Sequence, residues 1–132
     1  MAFDLSTLEP GRQKQEDGVS VRIKLPDGTD SDIVLTVASY ESERVKRTAR
    51  EIGNKALLEQ KRNPRKGESV EAIEDRTFAI AISSIVGWEG IEMDGKPLPF
   101  TRENVRMVLE KFPFIAEQVD AAASDRALFF GN

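Results

Sequence analysis

Apolar residues along this chain follow two different periods, and the switch between them divides it. Val19, Val21, Ile23 and Leu25 alternate with Ser20, Arg22 and Lys24, and beyond Pro26-Asp27-Gly28 the alternation resumes through Ile33, Leu35 and Val37. A period of two predicts two half-buried strands joined as a β-hairpin over residues 19–38. Both apolar sets occupy odd positions, so they share a face only if facing residues sum to an even number, as Val21 with Leu35 or Ile23 with Ile33. A two-residue Asp27-Gly28 turn would pair odd with even and split the apolar faces. The expectation is therefore a loop of odd length, or a bulge. One hairpin is marginal alone, so its apolar face has to rest on helices or on another chain.

From Glu41 the period becomes helical. Val45, Ala49, Ile52, Ala56 and Leu57 fall on one stripe, with Ser39 or Ser42 placed to cap its start, and the segment runs into the basic linker Lys61–Gly67. Gly53 weakens this helix by up to about 1 kcal/mol relative to alanine. Ser69 is placed to cap a second helix, in which Val70, Ile73, Thr77, Ala81 and Ile85 form a stripe widened by Phe78 and Ile82. So broad a stripe predicts the central, most buried helix, ending at Gly87. Residues 88–100 read as a tight turn or short hairpin about Asp94-Gly95. Thr101 caps a third helix through Val105, Val108, Leu109 and Phe112; Pro113 ends it or opens the next, which continues through Ile115, Val119, Ala122 and Ala123. Residues 1–18, with Pro10, Gly11, Gly18 and many polar side chains, predict a flexible N-terminal arm. The predicted fold class is α+β: an N-terminal β-hairpin followed by a mainly α-helical bundle of about four helices. Residues 19–132 would form a single domain, with 19–38 the hairpin and 41–132 the helical part.

Composition narrows the chemistry. The 132 residues suit one domain, and 39% hydrophobic with 32% charged residues is polar for a globular chain. There is no cysteine and no histidine, which removes disulfides, thiolate catalysis, Cys- or His-ligated metals and the usual general base. The longest apolar run, Ala79–Val86, is too short to span a bilayer, and Met1-Ala-Phe-Asp lacks the basic start of a signal peptide. The expectation is an intracellular protein without membrane contact. Charge is uneven: the net of −4 divides into −3 over residues 1–40, +5 over 41–66 and −6 over 67–132. A basic middle between acidic ends favours an acidic partner, of which another copy of the same chain is the nearest, so a homo-oligomer is expected.

No residue set stands out as catalytic, cofactor-binding or metal-ligating. Asp27/Asp30/Asp32 has a little of a calcium loop's spacing but lacks the glutamate that completes one, and Glu71/Glu74/Asp75 and Glu89/Glu92/Asp94 read as solvated acids. Gly87-Trp88-Glu89-Gly90 lacks both the Walker lysine and the Rossmann spacing, so Trp88 reads as a core anchor. The basic stretch including Arg44, Arg47 and Arg50 supplies clustered cations of the kind phosphates need. It is interleaved with Glu41, Glu43, Glu51 and Glu59, and no aromatic lies between Tyr40 and Phe78 to stack a base. A solvated or partner-facing helix is preferred to a nucleic-acid surface. Leu128, Phe129 and Phe130 either close the core or join Arg44, Arg47 and Arg50 in a protein contact.

One longer pattern adds a resemblance. A helix ending at Val86-Gly87-Trp88-Glu89-Gly90 is followed by Asp94-Gly95-Lys96-Pro97-Leu98-Pro99-Phe100-Thr101-Arg102-Glu103-Asn104-Val105, by a helix closing on Leu109-x-x-Phe112-Pro113, and by a last helix through Ile115 and Gln118-Val119. Over about residues 70–130 this resembles the tail assembly chaperones of long-tailed (siphovirus-like) bacteriophages and prophages. The resemblance implies a non-enzymatic assembly factor in the bacterial host cytoplasm, absent from the finished virion. Such a factor keeps the long tape measure protein soluble and helps bring tail tube protein subunits to it. On that pattern Trp88, Asp94, Gly95, Thr101 and Pro113 are fold-forming residues with anchor, turn and cap roles. The resemblance also implies a longer frameshift product, for which codons of Leu128-Phe129-Phe130 offer a slippery run. A minor tail or head–tail protein of the virion, or a nucleic-acid-binding regulator acting through residues 44–66, are the competing readings.

Overall fold

A computed structural model describes residues 1–131. The fold class is α+β, with more helix than the sequence pattern alone indicates. Helix α1 (Glu9–Asp17) follows a 3-10 turn at Leu5–Leu8. Strands β1 (Val19–Lys24) and β2 (Asp30–Val37) come next, then the long helices α2 (Glu43–Arg62) and α3 (Val70–Ser84). Strand β3 (Ile85–Glu89) precedes a small ribbon of β4 (Glu92–Met93) and β5 (Lys96–Pro97). Helices α4 (Arg102–Lys111), α5 (Pro113–Ser124) and α6 (Arg126–Phe130) complete the described chain.

The hairpin obeys the parity argument. Val21 faces Leu35 in an antiparallel ladder, and the register slips between Arg22 and Lys24, where Lys24 pairs with Asp30. Gly28 N–H donates to Leu25 O (2.8 Å) and Leu25 N–H donates to Thr29 O (2.8 Å), leaving Pro26-Asp27-Gly28 as an odd, three-residue loop. Gly28 sits at φ 89°, the left-handed position such a loop requires. Asp27 Oδ1 accepts from Thr29 N–H (3.0 Å) and steadies the turn. With the register set this way, Ile23, Leu35 and Val37 all reach the core.

Three expectations need correction. The sheet has a third strand: β3 pairs antiparallel with β2, which becomes central in the order β1-β2-β3. The second long helix therefore stops at Ser84 rather than Gly87, and Ile85-Val86-Gly87-Trp88 reads as a strand once β2 offers it a ladder. Second, α3 is not the most buried helix. Only Ala81 and Ser84 are fully buried in it, while Val70 and Ile73 are 70% and 48% exposed. Third, residues 1–18 are not a loose arm throughout. Glu9–Asp17 is helical, with Gly11 and Gln15 buried, and α1 lies against α6 with the Phe130 ring filling the space a Gly11 side chain would need. The chain therefore opens with a helix ahead of the hairpin, and Met1, Phe3, Leu5 and Leu8 before it keep their apolar surface in solvent.

The core lies between one face of the sheet and α3, α4 and α5. Ile23, Leu35 and Val37 from the strands meet Ala81, Ile85, Val105, Leu109, Ile115 and Val119. Burial of this order supplies roughly 1.5–3 kcal/mol per large side chain and holds the body together. The free edge of β1 is closed by a side chain. Gln118 on α5 accepts from Lys24 N–H (2.8 Å) and donates to Lys24 O (2.9 Å), acting as a one-residue strand. Trp88 Nε1–H donates to Leu98 O (3.1 Å), and its ring meets Phe100 edge to face at 5.2 Å, tying β3 to the segment after the ribbon. Asp94 and Gly95 take φ of 54° and 77° and turn the β4–β5 ribbon. Thr101 Oγ1 accepts from Asn104 N–H (3.1 Å) at the start of α4, and Pro113 occupies the first turn of α5.

Helix α2 leaves the body. Val45 near its start is its single buried residue, and beyond that it packs on α3 alone, so the two form an antiparallel hairpin projecting toward the linker at 63–69.

Two glycines should behave in opposite ways. Gly90 has φ 76°, and a side chain there would run into the carbonyl of Asp32, whereas Gly53 faces open space inside α2. Gly90→Ala should cost more than about 2 kcal/mol, and Gly53→Ala should add roughly 0.5–1 kcal/mol, both read by chemical denaturation.

Candidate partner-binding surfaces

The segment from Ala38 to Glu43 decides where every outward-facing residue lies. It carries the chain from β2 into α2, and its polar groups are bound to α1, to the ends of α3 and α5, to α6 and to one another. Ala38 N–H donates to Ser84 O (2.6 Å), Ser39 N–H to Gln15 O (2.9 Å), and Tyr40 N–H to Ala123 O (2.9 Å). Ser42 stands at the N-cap of α2 but its hydroxyl donates to Ser39 O (2.5 Å). The cap comes from elsewhere: the Glu16 carboxylate on α1 accepts from Glu43 N–H (2.9 and 3.0 Å). An acid at a helix start suits both the free N–H groups and the helix dipole.

Glu41 is the electrostatic centre of this joint. The Arg126 guanidinium grips it with two bonds of 2.8 Å, and Gln15 donates to it at 3.1 Å. The bond from Arg126 is the largest reason that the Glu41 carboxyl is lowered to about 2. Tyr40 is half-buried and donates its hydroxyl to Asp120 (2.8 Å); burial first, then that carboxylate, push its ionisation above the ordinary tyrosine range. Tyr40, Glu41 and Ala123–Ala127 line a shallow cleft of about 420 Å³. It offers a carboxylate already paired with arginine and a phenol held protonated, which is a structural arrangement rather than an acid–base pair.

The sequence-derived contact residues separate. Arg44, Arg47 and Arg50 are all exposed on α2. Arg50 pairs with Glu43 at 3.2 Å, while Arg44 and Arg47 meet no acid among the described residues. The C-terminal trio splits: Leu128 and Phe130 are 40% and 38% exposed, but Phe129 is fully buried and cannot be a partner contact. Its neighbours point outward because α6 is a single short helix, capped by Asp125, that turns one of three consecutive apolar residues inward. The trio and the arginines lie on different parts of the molecule, α6 against α1 and the arginines on the projecting hairpin.

Periodicity places Leu57, Val70 and Ile73 on inward stripes, yet they and their neighbour Leu58 are exposed. Leu57, Leu58, Val70 and Ile73 stand 57%, 62%, 70% and 48% exposed toward the far end of the hairpin. The signal that marks them is the flanking charge: α2 is too rich in Lys, Arg and Glu for its apolar stripe to be enclosed on more than one side. Among the described residues no three His, Cys, Asp or Glu side chains converge as a metal site would need, and no helix is long and apolar enough to cross a membrane.

The family model described as YdaY prophage protein matches residues 39–130. The chain belongs to that prophage family. No curated protein and no solved structure matches the chain. The family match begins within the joint and runs through both projecting helices to α6. It excludes α1, β1 and β2, so within the family region β3 has no strand of its own sheet to pair with and draws it from residues before the match.

Two measurements test this assignment of roles. Phe129→Ala should cost about 3–5 kcal/mol and Leu128→Ala no more than about 0.5 kcal/mol. Glu41 has its carboxyl lowered in the folded protein, so its contribution is present above the ordinary carboxylate value and is lost as pH falls toward about 2. At a carboxylate 43% exposed, screening limits that contribution to about 1 kcal/mol or less. Denaturation of Glu41→Gln against wild type should show a gap at pH 6 that closes between about pH 4.5 and 2.

Proposed function

We propose that this prophage protein is a tail assembly chaperone, which holds the tape measure protein in solution and helps recruit tail tube protein, by protein–protein contact and without catalysis, in the host cytoplasm. The observation that carries the reading is the projecting α2–α3 hairpin. It exposes Leu57, Leu58, Val70 and Ile73 toward its far end, with exposed Arg44 and Arg47 nearer its base, on a chain belonging to a prophage family. Exposed apolar side chains rimmed by charge suit a surface that receives another polypeptide, above all an amphipathic helix. The sequence pattern of residues 70–130 supports the same reading, since its turn, cap and anchor positions form the β4–β5 ribbon and the starts of α4 and α5. The absence of histidine and cysteine leaves few groups able to serve as nucleophile or base near neutral pH.

Co-expression with the tape measure protein of the same prophage should raise that protein's soluble fraction and recover the two together. Arg47→Glu with Arg50→Glu should lower the recovery several-fold while leaving stability within about 0.5 kcal/mol, because both side chains are exposed. Failure to recover the pair, or salt-sensitive binding of duplex DNA at about 150 mM salt instead, would overturn the reading.

A further inference from the structure

The α2–α3 hairpin has two unlike flanks. Among the positions of α2 and α3 that are not fully exposed, Val45, Thr48, Ile52 and Ala56 on α2 and Ala72, Arg76 and Ala79 on α3 fall on the sides where the two helices meet. One residue further along a helix lies 100° round, and in an antiparallel pair that step leads to the same side on both members. On this side stand Lys46 at the root and then Ala49, Gly53, Leu57, Ile73, Thr77 and Ile80, so beyond Lys46 it carries no charge. One residue back leads to the opposite side, with Arg44, Arg47, Glu51, Lys55, Glu71 and Asp75, and with Phe78 beneath the Arg106 guanidinium. The uncharged flank is open: Leu57 is 57% and Ile73 48% exposed, and no atom lies near where a Gly53 side chain would be.

The outer margins of the same flank carry opposite charges. Arg50 and Lys61 lie on the edge of α2 farthest from α3, Arg50 already paired there with Glu43, and Glu74 lies on the edge of α3 farthest from α2, all exposed. We propose that this flank receives a second copy of the chain. The two hairpins lie side by side and point the same way, closing a four-helix bundle about a two-fold axis parallel to them. That axis lays the α2 of each copy over the α3 of the other, so basic margin meets acidic margin twice. A two-fold perpendicular to the hairpins would set basic on basic. Lys61 is in the last turn of α2 and Glu74 in the second turn of α3, so the two reach the same end of the bundle and pair across it. Leu57 and Ile73 of both copies then form its apolar seam. This pairing needs no cargo and stands or falls apart from the chaperone reading.

The test is sedimentation of the full chain over a concentration series, with circular dichroism to confirm helix content. Wild type should dimerise reversibly. Leu57→Glu with Ile73→Glu should weaken dimerisation at least about tenfold with helix content unchanged, since neither residue is in the core. Lys61→Glu and Glu74→Lys should each weaken it about threefold, and the two combined should restore it. A monomer at every concentration would overturn the proposal, as would a dimer indifferent to the Leu57/Ile73 pair. Single charge reversals that weaken the dimer without rescue in combination would overturn the parallel arrangement. A monomer whose Leu57→Glu form loses a helical cargo would assign the flank to that cargo instead.

Discussion

The structure depends on the short passage between β2 and α2 being held without freedom. Five of its six residues bond to α1, the end of α3, the end of α5 or the start of α6, and Ser42 bonds back to Ser39 within the passage. The Glu41–Arg126 pair and the Glu16 cap add charge to what the backbone begins. Buried Gln15, Ser39, Ser42 and Ser84 make this a polar cluster at the base of the hairpin, and no buried side-chain nitrogen or oxygen among the described residues lacks a partner. A fully satisfied cluster of that kind fixes direction more than it adds stability, because each donor has one acceptor within reach and a rotated helix would leave several unpaired. The consequence is that α2 departs from the body at one angle, although only Val45 anchors it by burial.

That arrangement gives the molecule two parts with different physics. The body is an ordinary packed core of sheet and helices, whose apolar residues come from before and after the hairpin in sequence and from Ala81 at the inner end of α3. The hairpin buries little besides the seam between its own helices, and its surface carries most of the basic charge of an otherwise acidic chain. Long exposed helices gain little from propensity alone, so such a hairpin benefits from a partner more than the body does. Bonds from Arg76 to Glu68 and from Arg106 to Asp75 and Glu110, with Arg106 over the Phe78 ring at 5.7 Å, brace α3.

Membership of a prophage family restricts the biological setting without choosing among assembly roles. The features that bear on the choice are those of the hairpin and the family region that contains it. The N-terminal helix and the first two strands complete the sheet and the joint on behalf of residues 39–130, so the protein works as one body although the family match covers its later part.

Local chemistry was legible in the sequence wherever a residue acts on its near neighbours. The parity of Val21 and Leu35 dictated an odd loop; Ser69 and Thr101 announced helix starts; Pro113 opened α5; Asp94-Gly95 turned a ribbon. Each of these depends on a few adjacent bonds, which sequence spacing encodes directly. The rest turned on which surfaces meet. Ile85–Glu89 is a strand because β2 offers it a ladder, Glu9–Asp17 packs because α6 lies across it, and Phe129 is buried while Leu128 and Phe130 are not because α6 presents one side to the body. Val70, Ile73 and Leu57 lie on stripes identical in form to core stripes. A stripe states only that one side of a helix differs from the other, and only the tertiary structure supplies, or withholds, the neighbour that covers it.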